Sequence, residues 1–242
     1  IITLGLIAGL NSLYAAPIHD AARTGDLEKI KSLVNSGVDV DSMPENFPYT
    51  PLFIAAGDNQ AEAVDLLISL GANLDLVSGN RTPLLIALRN NRIDIAIKLI
   101  LKGASLDQVK GAKTTPLIAA CKRGNETVID LLLLKGVDIN QKDSDGVTTI
   151  HALAADEADK KLSILKKFVS EGANVNSIAS SYQGIGLTEF FVTPLDLADG
   201  ESMDFLIENG ARTSAQVLDD RFSSLEQKVE QGSSGNTNPT SE

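Results

Sequence analysis

Apolar and polar positions recur along this chain in a fixed order. The strings TPLFIAA at 50–56, TPLLIAL at 82–88 and TTPLIAAC at 114–121 each join a Thr-Pro pair to a run of small and aliphatic residues. A polar break follows. Apolar residues then return at helical spacing, as in Val64, Leu67 and Ile68 or Val128, Leu131 and Leu132. The pattern predicts a short helix, a tight turn and a second helix in every copy. Two sets of landmarks keep the same period. Pro17, Pro51, Pro83, Pro116, Thr149 and Pro194 lie 34, 32, 33, 33 and 45 residues apart, and Gly37, Gly71, Gly103 and Gly136 each follow their Pro by 20. One such helix pair cannot bury its apolar faces alone, so the copies must stack.

Each recurring position has a physical reason. Thr50, Thr82, Thr115, Thr148 and Thr193 stand where a helix N-cap is needed, and a hydroxyl there accepts from an otherwise unpaired backbone N–H. Pro follows at the first helical position, where its missing N–H costs nothing. Leu52, Leu84, Leu117 and Leu195 are expected in the core, and pairs such as Ala55-Ala56 let two helices approach closely. Gly25, Asn59, Asn91 and Gly124 end the first helices, since Gly and Asn accept the left-handed conformation. Gly37, Gly71, Gly103, Gly136, Gly172 and Gly210 end the second.

These residues resemble the ankyrin-repeat family, whose unit runs about 33 residues from a T-P-L-H-x-A start. The likeness is strongest over 115–140 and covers roughly 16–213. It implies an all-α repeat solenoid of about six helix-turn-helix units with projecting hairpin-like fingers. The units fall near 16–48, 49–80, 81–113, 114–146, 147–191 and 192–213. Leu218, Phe222, Leu225 and Val229 form one apolar helical stripe with Ser214 as candidate N-cap, which predicts a capping helix over 214–231 and a disordered tail over 232–242. Residues 1–15, apolar and uncharged, read as the end of a secretory signal peptide cleaved after Ala15, hence an exported, periplasmic or secreted protein. The alternative is an apolar N-terminal cap on a cytoplasmic array.

The likeness also sorts the reactive side chains. His19 and His151 occupy the His position of the motif, and in the family that His ties neighbouring fingers together, so both are expected to be structural. Cys121 aligns with Ala22, Ala56 and Ala154 and is expected to be an inert buried thiol. No catalytic constellation remains. The sequence has no EF-hand loop, no P-loop and no dinucleotide fingerprint. No enzyme activity, cofactor or metal is expected. The Asn125-Glu126-Thr127 sequon reads as chance. A net charge of −11 argues against nucleic acid, which needs a basic face. The expected partner is a protein and the expected state a monomer with no stable membrane span.

Function is expected where the repeat stops dictating the residue. The positions after the small pair are Arg23 and Thr24, Gly57 and Asp58, Arg89 and Asn90, Lys122 and Arg123, Ala155 and Asp156, a row that the likeness places on a concave face. The candidate partner-binding residues are Arg23, Asp58, Arg89, Asn90, Lys122 and Arg123, joined by Tyr49 and Arg81, which immediately precede caps. The fifth unit departs twice. Its helix connection is lengthened in ADEADKK at 155–161. Its finger is extended by SIASSYQGIGLTEFFV at 177–192, where Tyr182 and Phe190 complete the candidate set. Tyr182 is expected outward, and at least one of Phe190 and Phe191 inward. The reading is a non-enzymatic interaction scaffold that binds through the concave face and fingers. The alternative is a secreted effector or inhibitor that blocks an enzyme through the long finger. The likeness narrows to exported bacterial ankyrin proteins, some of which protect periplasmic enzymes.

Overall fold

The computed structural model describes residues 17–45, 47–107, 109–155, 159–180 and 191–233, which divide into two compact blocks after Ser144. The first block holds α1 Pro17–Thr24, α2 Leu27–Asn35, α3 Pro51–Gly57, α4 Ala61–Ser69, α5 Pro83–Arg89, α6 Ile93–Leu101, α7 Pro116–Arg123 and α8 Glu126–Leu134. The second holds α9 Thr149–Ala154, α10 Asp159–Ser170, α11 Pro194–Leu197, α12 Gly200–Glu208 and α13 Ser214–Ser233. Only isolated bridges, Ser78–Arg81 and Ala179–Val192, represent β structure among the described residues.

The cap chemistry explains where the first helices begin. Thr50, Thr82 and Thr115 accept from the N–H groups of Phe53, Leu85 and Ile118 at 3.1, 3.3 and 3.2 Å, with Pro next in each helix. Gly25, Asn59, Asn91 and Gly124 all have positive φ, between 57° and 72°. The Asn of the sequon is a cap as well, since Asn125 Oδ1 accepts from the Val128 N–H at 3.1 Å. The second helices close by a different bond. The Val38, Ala72, Ala104, Val137, Ala173 and Ala211 N–H groups each reach back five residues to a carbonyl, across a Gly of positive φ.

In the first block the first helices α1, α3, α5 and α7 pack in sequence, and α2, α4, α6 and α8 form a second layer. Leu52, Leu84 and Leu117 are fully buried between them, and so are Ala55, Ala56 and Ala87, where a larger side chain would push the helices apart. In the second block α9 packs on α10 and α11, and α12 packs on both of these. Leu195 is only half-buried, against expectation, because α11 makes a single turn before Ala198 turns extended.

The fingers carry a repeated Asx device. Asp39, Asn73, Asp138 and Asn174 each accept from the N–H two residues on, at 2.8–2.9 Å. The second Asx then reaches the following repeat. Asp41 accepts from the Asn73 N–H at 3.1 Å, Asp75 from Ser105 at 2.8 Å, and Asn176 from Arg212 at 2.8 Å. Burial raises the Asp41 carboxyl above its ordinary value; the Asn73 N–H opposes this and the Asp39 charge adds to it. The folded chain therefore holds this proton more tightly than the unfolded one, and ionised Asp41 costs stability at neutral pH. Asp41→Asn keeps the acceptor and removes the charge. In urea titrations it is expected to be at least as stable as the parent at pH 7, and the two should converge as pH falls through the raised value toward 3.8. The effect is small because solvent screens a partly exposed group. A variant less stable at pH 7 would contradict it.

Two glycines of positive φ differ in what a side chain would meet. Gly37 and Gly146 have φ of 97° and 82°, but a Cβ on Gly37 meets nothing within 4 Å, whereas on Gly146 it would lie 3.1 Å from the Ile178 carbonyl oxygen and 3.3 Å from Ala179 Cα. Gly37→Ala should cost about 1 kcal/mol from the backbone alone, and Gly146→Ala about twice that. Equal urea midpoints would show that the Gly146 contact is relieved without cost.

At the C-terminal end the cap is Thr213, not Ser214. The Thr213 N–H donates to Gln216 Oε1 at 2.9 Å and its hydroxyl accepts from the Gln216 N–H at 3.4 Å, a reciprocal box that Ser214, already helical, cannot make. The Asp196 carboxylate also accepts from the Ser214 N–H at 2.9 Å, which places a negative charge at the positive end of α13. The packed face differs from the expected stripe. Val217 is buried, Leu218 is half-buried and Phe222 is 64% exposed. The side chains of Leu225 and Val229 lie outside the described residues.

Candidate functional site

The row after the small pairs is built by the ends of α1, α3, α5 and α7. A helix leaves its last carbonyls unpaired, and here the next repeat supplies the donors. Gln60 Nε2 donates to the Arg23 carbonyl at 2.8 Å. Asn90 Nδ2 and Arg92 Nε donate to the Gly57 carbonyl at 3.1 and 3.2 Å. The Arg123 guanidinium donates to the Arg89 carbonyl. Two predicted binding residues, Asn90 and Arg123, therefore hold neighbouring repeats together as well as facing solvent. Arg23 pairs with Asp20 at 2.9 Å and lies 4.0 Å from Asp58. Gly57 is buried rather than exposed.

Arg89 differs from these. Its side chain is exposed and has no carboxylate partner among the described residues. Burial of part of the group, then the Arg81 charge, then the Arg123 charge hold its guanidinium below the ordinary value. It stays protonated at neutral pH regardless, so three like charges converge in a protein of net charge −11. A tight turn positions Arg81. Gly79 and Asn80 have φ of 56° and 61°, and Ser78 and Arg81 exchange backbone bonds of 2.7 and 3.1 Å across them. Lys122, next to Arg123, is exposed and has interactions of its own.

Beside this row runs a column of rings that the sequence reading did not assemble. His19 meets Phe47 edge-on at 5.5 Å, Phe47 meets Tyr49 edge-on at 5.2 Å, and Tyr49 stacks on Phe53 at 5.2 Å. Tyr49, and Arg81 through its charge against Arg89, border the same face. The signal for Phe47 and Phe53 was slight, since neither departs from an apolar or pre-cap pattern.

Both histidines are fully buried. His19 Nε2 lies 2.9 Å from the Ser42 carbonyl oxygen. His151 Nδ1 accepts from the Thr148 N–H at 3.2 Å and Nε2 lies 3.2 Å from the Val192 carbonyl oxygen. Cys121 is a buried thiol outside any disulfide. No cluster able to hold a metal ion occurs among the described residues. Tyr182, Phe190, Asp156 and residues 1–16, 181–190 and 234–242 lie outside the described residues, and with them the expected signal peptide and most of the long finger and tail; Phe191 is 54% exposed.

The comparisons with known proteins agree with this architecture. The family model of ankyrin repeats (three copies) matches residues 18–110 and 96–179, more than half of the chain. Mouse (Mus musculus) protein phosphatase 1 regulatory subunit 27 is 42% identical over 60 residues, which are 25% of this chain and 38% of that protein. The human ASB11 ankyrin repeat domain aligns with a TM-score of 0.63 at 25% identity, over 82% of this chain and 85% of that one. A chain from the solved structure of the predatory endopeptidase Bd0816 from Bdellovibrio bacteriovorus in complex with immunity protein Bd3460 aligns with a TM-score of 0.66 at 26% identity, over 80% of this chain and 98% of that one. The chain belongs to the ankyrin-repeat family and has its all-α repeat solenoid fold. Ankyrin repeats are protein–protein interaction modules, and family members are generally non-enzymatic scaffolds. The chain spans less than half the length of the curated relatives it matches. No helix among the described residues is long and apolar enough to cross a membrane.

Proposed function

We propose that this protein is a non-enzymatic scaffold that binds a partner protein through the ends of its first helices, with Arg23, Tyr49, Asp58, Arg81, Arg89, Asn90, Lys122 and Arg123 at the contact. One observation carries the reading: Arg81 and Arg89 hold positive charge side by side without a carboxylate partner among the described residues of an acidic protein. Such an arrangement costs free energy unless another molecule supplies the anions, and a charge-assisted hydrogen bond to a carboxylate contributes about 1.5–3 kcal/mol. The test is partner affinity with the Arg81→Glu/Arg89→Glu chain, measured alongside its urea midpoint. Binding should weaken at least about a hundredfold, the equivalent of two such bonds, with the midpoint held or raised. Unchanged affinity would remove this face from the account. Arg123 is left intact because it holds the Arg89 carbonyl.

A second reading is favoured by the likeness to a chain from the endopeptidase–immunity protein complex. In it the protein is exported and its partner is an enzyme that it holds inactive, with the finger 177–192, including Tyr182 and Phe190, reaching the enzyme. Deletion of 181–190 should then abolish inhibition while the urea midpoint of the array stays in place. Inhibition that survives the deletion would leave the finger as a neutral insertion.

A further inference from the structure

Gly57 breaks the row in which α1, α5 and α7 carry Arg23, Arg89 and Lys122 at the same position. Its backbone does not demand glycine, because its φ is not positive. Glycine also weakens a helix relative to most residues. What it provides is space. A Cβ there would lie 3.2 Å from Ile86 Cγ1 and 3.6 Å from Asn90 Nδ2. In the place of a side chain the surface holds a notch of about 230 Å³, floored by Phe53, Ile54 and Ile86 and rimmed by Arg23, Asp58 and Asn90. The ring column of Phe47 and Tyr49 forms one wall. The α5 end, with exposed Arg89, follows directly from the α3 end in the packing order.

We propose that this notch receives one apolar side chain of a protein partner, and that the partner segment carries carboxylates beside that anchor to meet Arg81 and Arg89. The paired arginines select the occupant. A segment with only apolar residues would leave the arginines unmatched, a basic one would be repelled, and the polar rim sets the notch apart from an ordinary packing defect. Apolar anchors in small pockets, flanked by charge pairs, are a common way for short segments to gain both affinity and register. The inference rests on the face assigned above and adds the partner's chemistry to it.

The test uses the full chain and short random peptides selected on it by display. The selected peptides should share a large apolar residue with Asp or Glu close by. Gly57→Arg separates the notch from simple charge attraction. It restores the residue type of the neighbouring repeats, so the fold has a precedent for it, and it lays a long side chain across the notch while adding positive charge. If the notch takes the anchor, the peptides lose about tenfold or more in affinity for Gly57→Arg, and independently for Arg89→Glu. Circular dichroism melting of both variants, with Gly57→Ala as a smaller change at the same site, reports folding. Affinity unchanged or increased in a folded Gly57→Arg chain would overturn the notch. Peptides without acidic residues would overturn the charge half, and a selection that recovers nothing above background would overturn docking at this site. A natural partner that binds Gly57→Arg normally but is lost on Arg81→Glu/Arg89→Glu removes the notch and leaves the binding face standing.

Discussion

Phe168→Ala is expected to destabilise the second block by about 4 kcal/mol, the cost of removing a buried aromatic ring. Phe168 is the largest fully buried side chain among the described residues, and it sits on α10. Interiors are close-packed, so the lost ring leaves a void that its neighbours cannot fill without moving backbone. A loss of this size is a large fraction of the stability of an ordinary domain. Urea unfolding should therefore show the second block melting well before the parent does. Leu134→Ala is the matching control. Leu134 is 83% exposed on α8 and should change stability by less than about 0.5 kcal/mol. Similar losses for the two variants would mean that the α10 packing contributes little.

His151→Leu should cost about 3 kcal/mol although leucine nearly fills the space. The imidazole accepts from the Thr148 N–H, lies 2.9 Å from the Thr148 hydroxyl, and approaches the Val192 carbonyl on its other side. Leucine leaves the Thr148 N–H buried without an acceptor. The Val192 carbonyl keeps only the Ala179 N–H, at 3.0 Å. His19 Nε2 lies 2.9 Å from the carbonyl oxygen of Ser42, a partly exposed residue that water can reach, so freeing that carbonyl by His19→Leu costs less than stranding the buried Thr148 N–H. Amide hydrogen exchange at Thr148 and Val192 reads the difference locally. A loss below about 1 kcal/mol for His151→Leu would contradict the role assigned to His151 in fixing the start of α9.

The repeat was legible because backbone chemistry dictates it. Thr before Pro, small residues in mid-helix and Gly or Asn at positive φ each answer a local demand, and such demands leave marks at a fixed period. Where the demand is tertiary the marks fade. Leu195 carries the core residue of the motif, yet one turn of helix does not bury it. Val217 rather than the Leu218–Phe222 stripe packs down, where α13 starts from a Thr213–Gln216 box and is tied by its Ser214 N–H to the Asp196 carboxylate, a contact distant in sequence. The same holds at the candidate site. Arg89 could be picked out as a departure from the repeat, but the inward bonds of Asn90 and Arg123 depend on the neighbouring repeat's unpaired carbonyls. The ring column depends on a turn that brings Phe47 over His19. The notch was half visible, as a glycine in a row of basic residues, but its apolar floor comes from two different helices.

The most direct test of the binding face is amide hydrogen exchange on the full chain, alone and saturated with its partner. The account predicts new protection at the ends of the first helices and the adjoining turn, over residues 57–60, 79–81, 89–92 and 122–124, with little change along α2, α4, α6 and α8. Protection confined to those second-layer helices, with the first-helix ends unchanged, would contradict it.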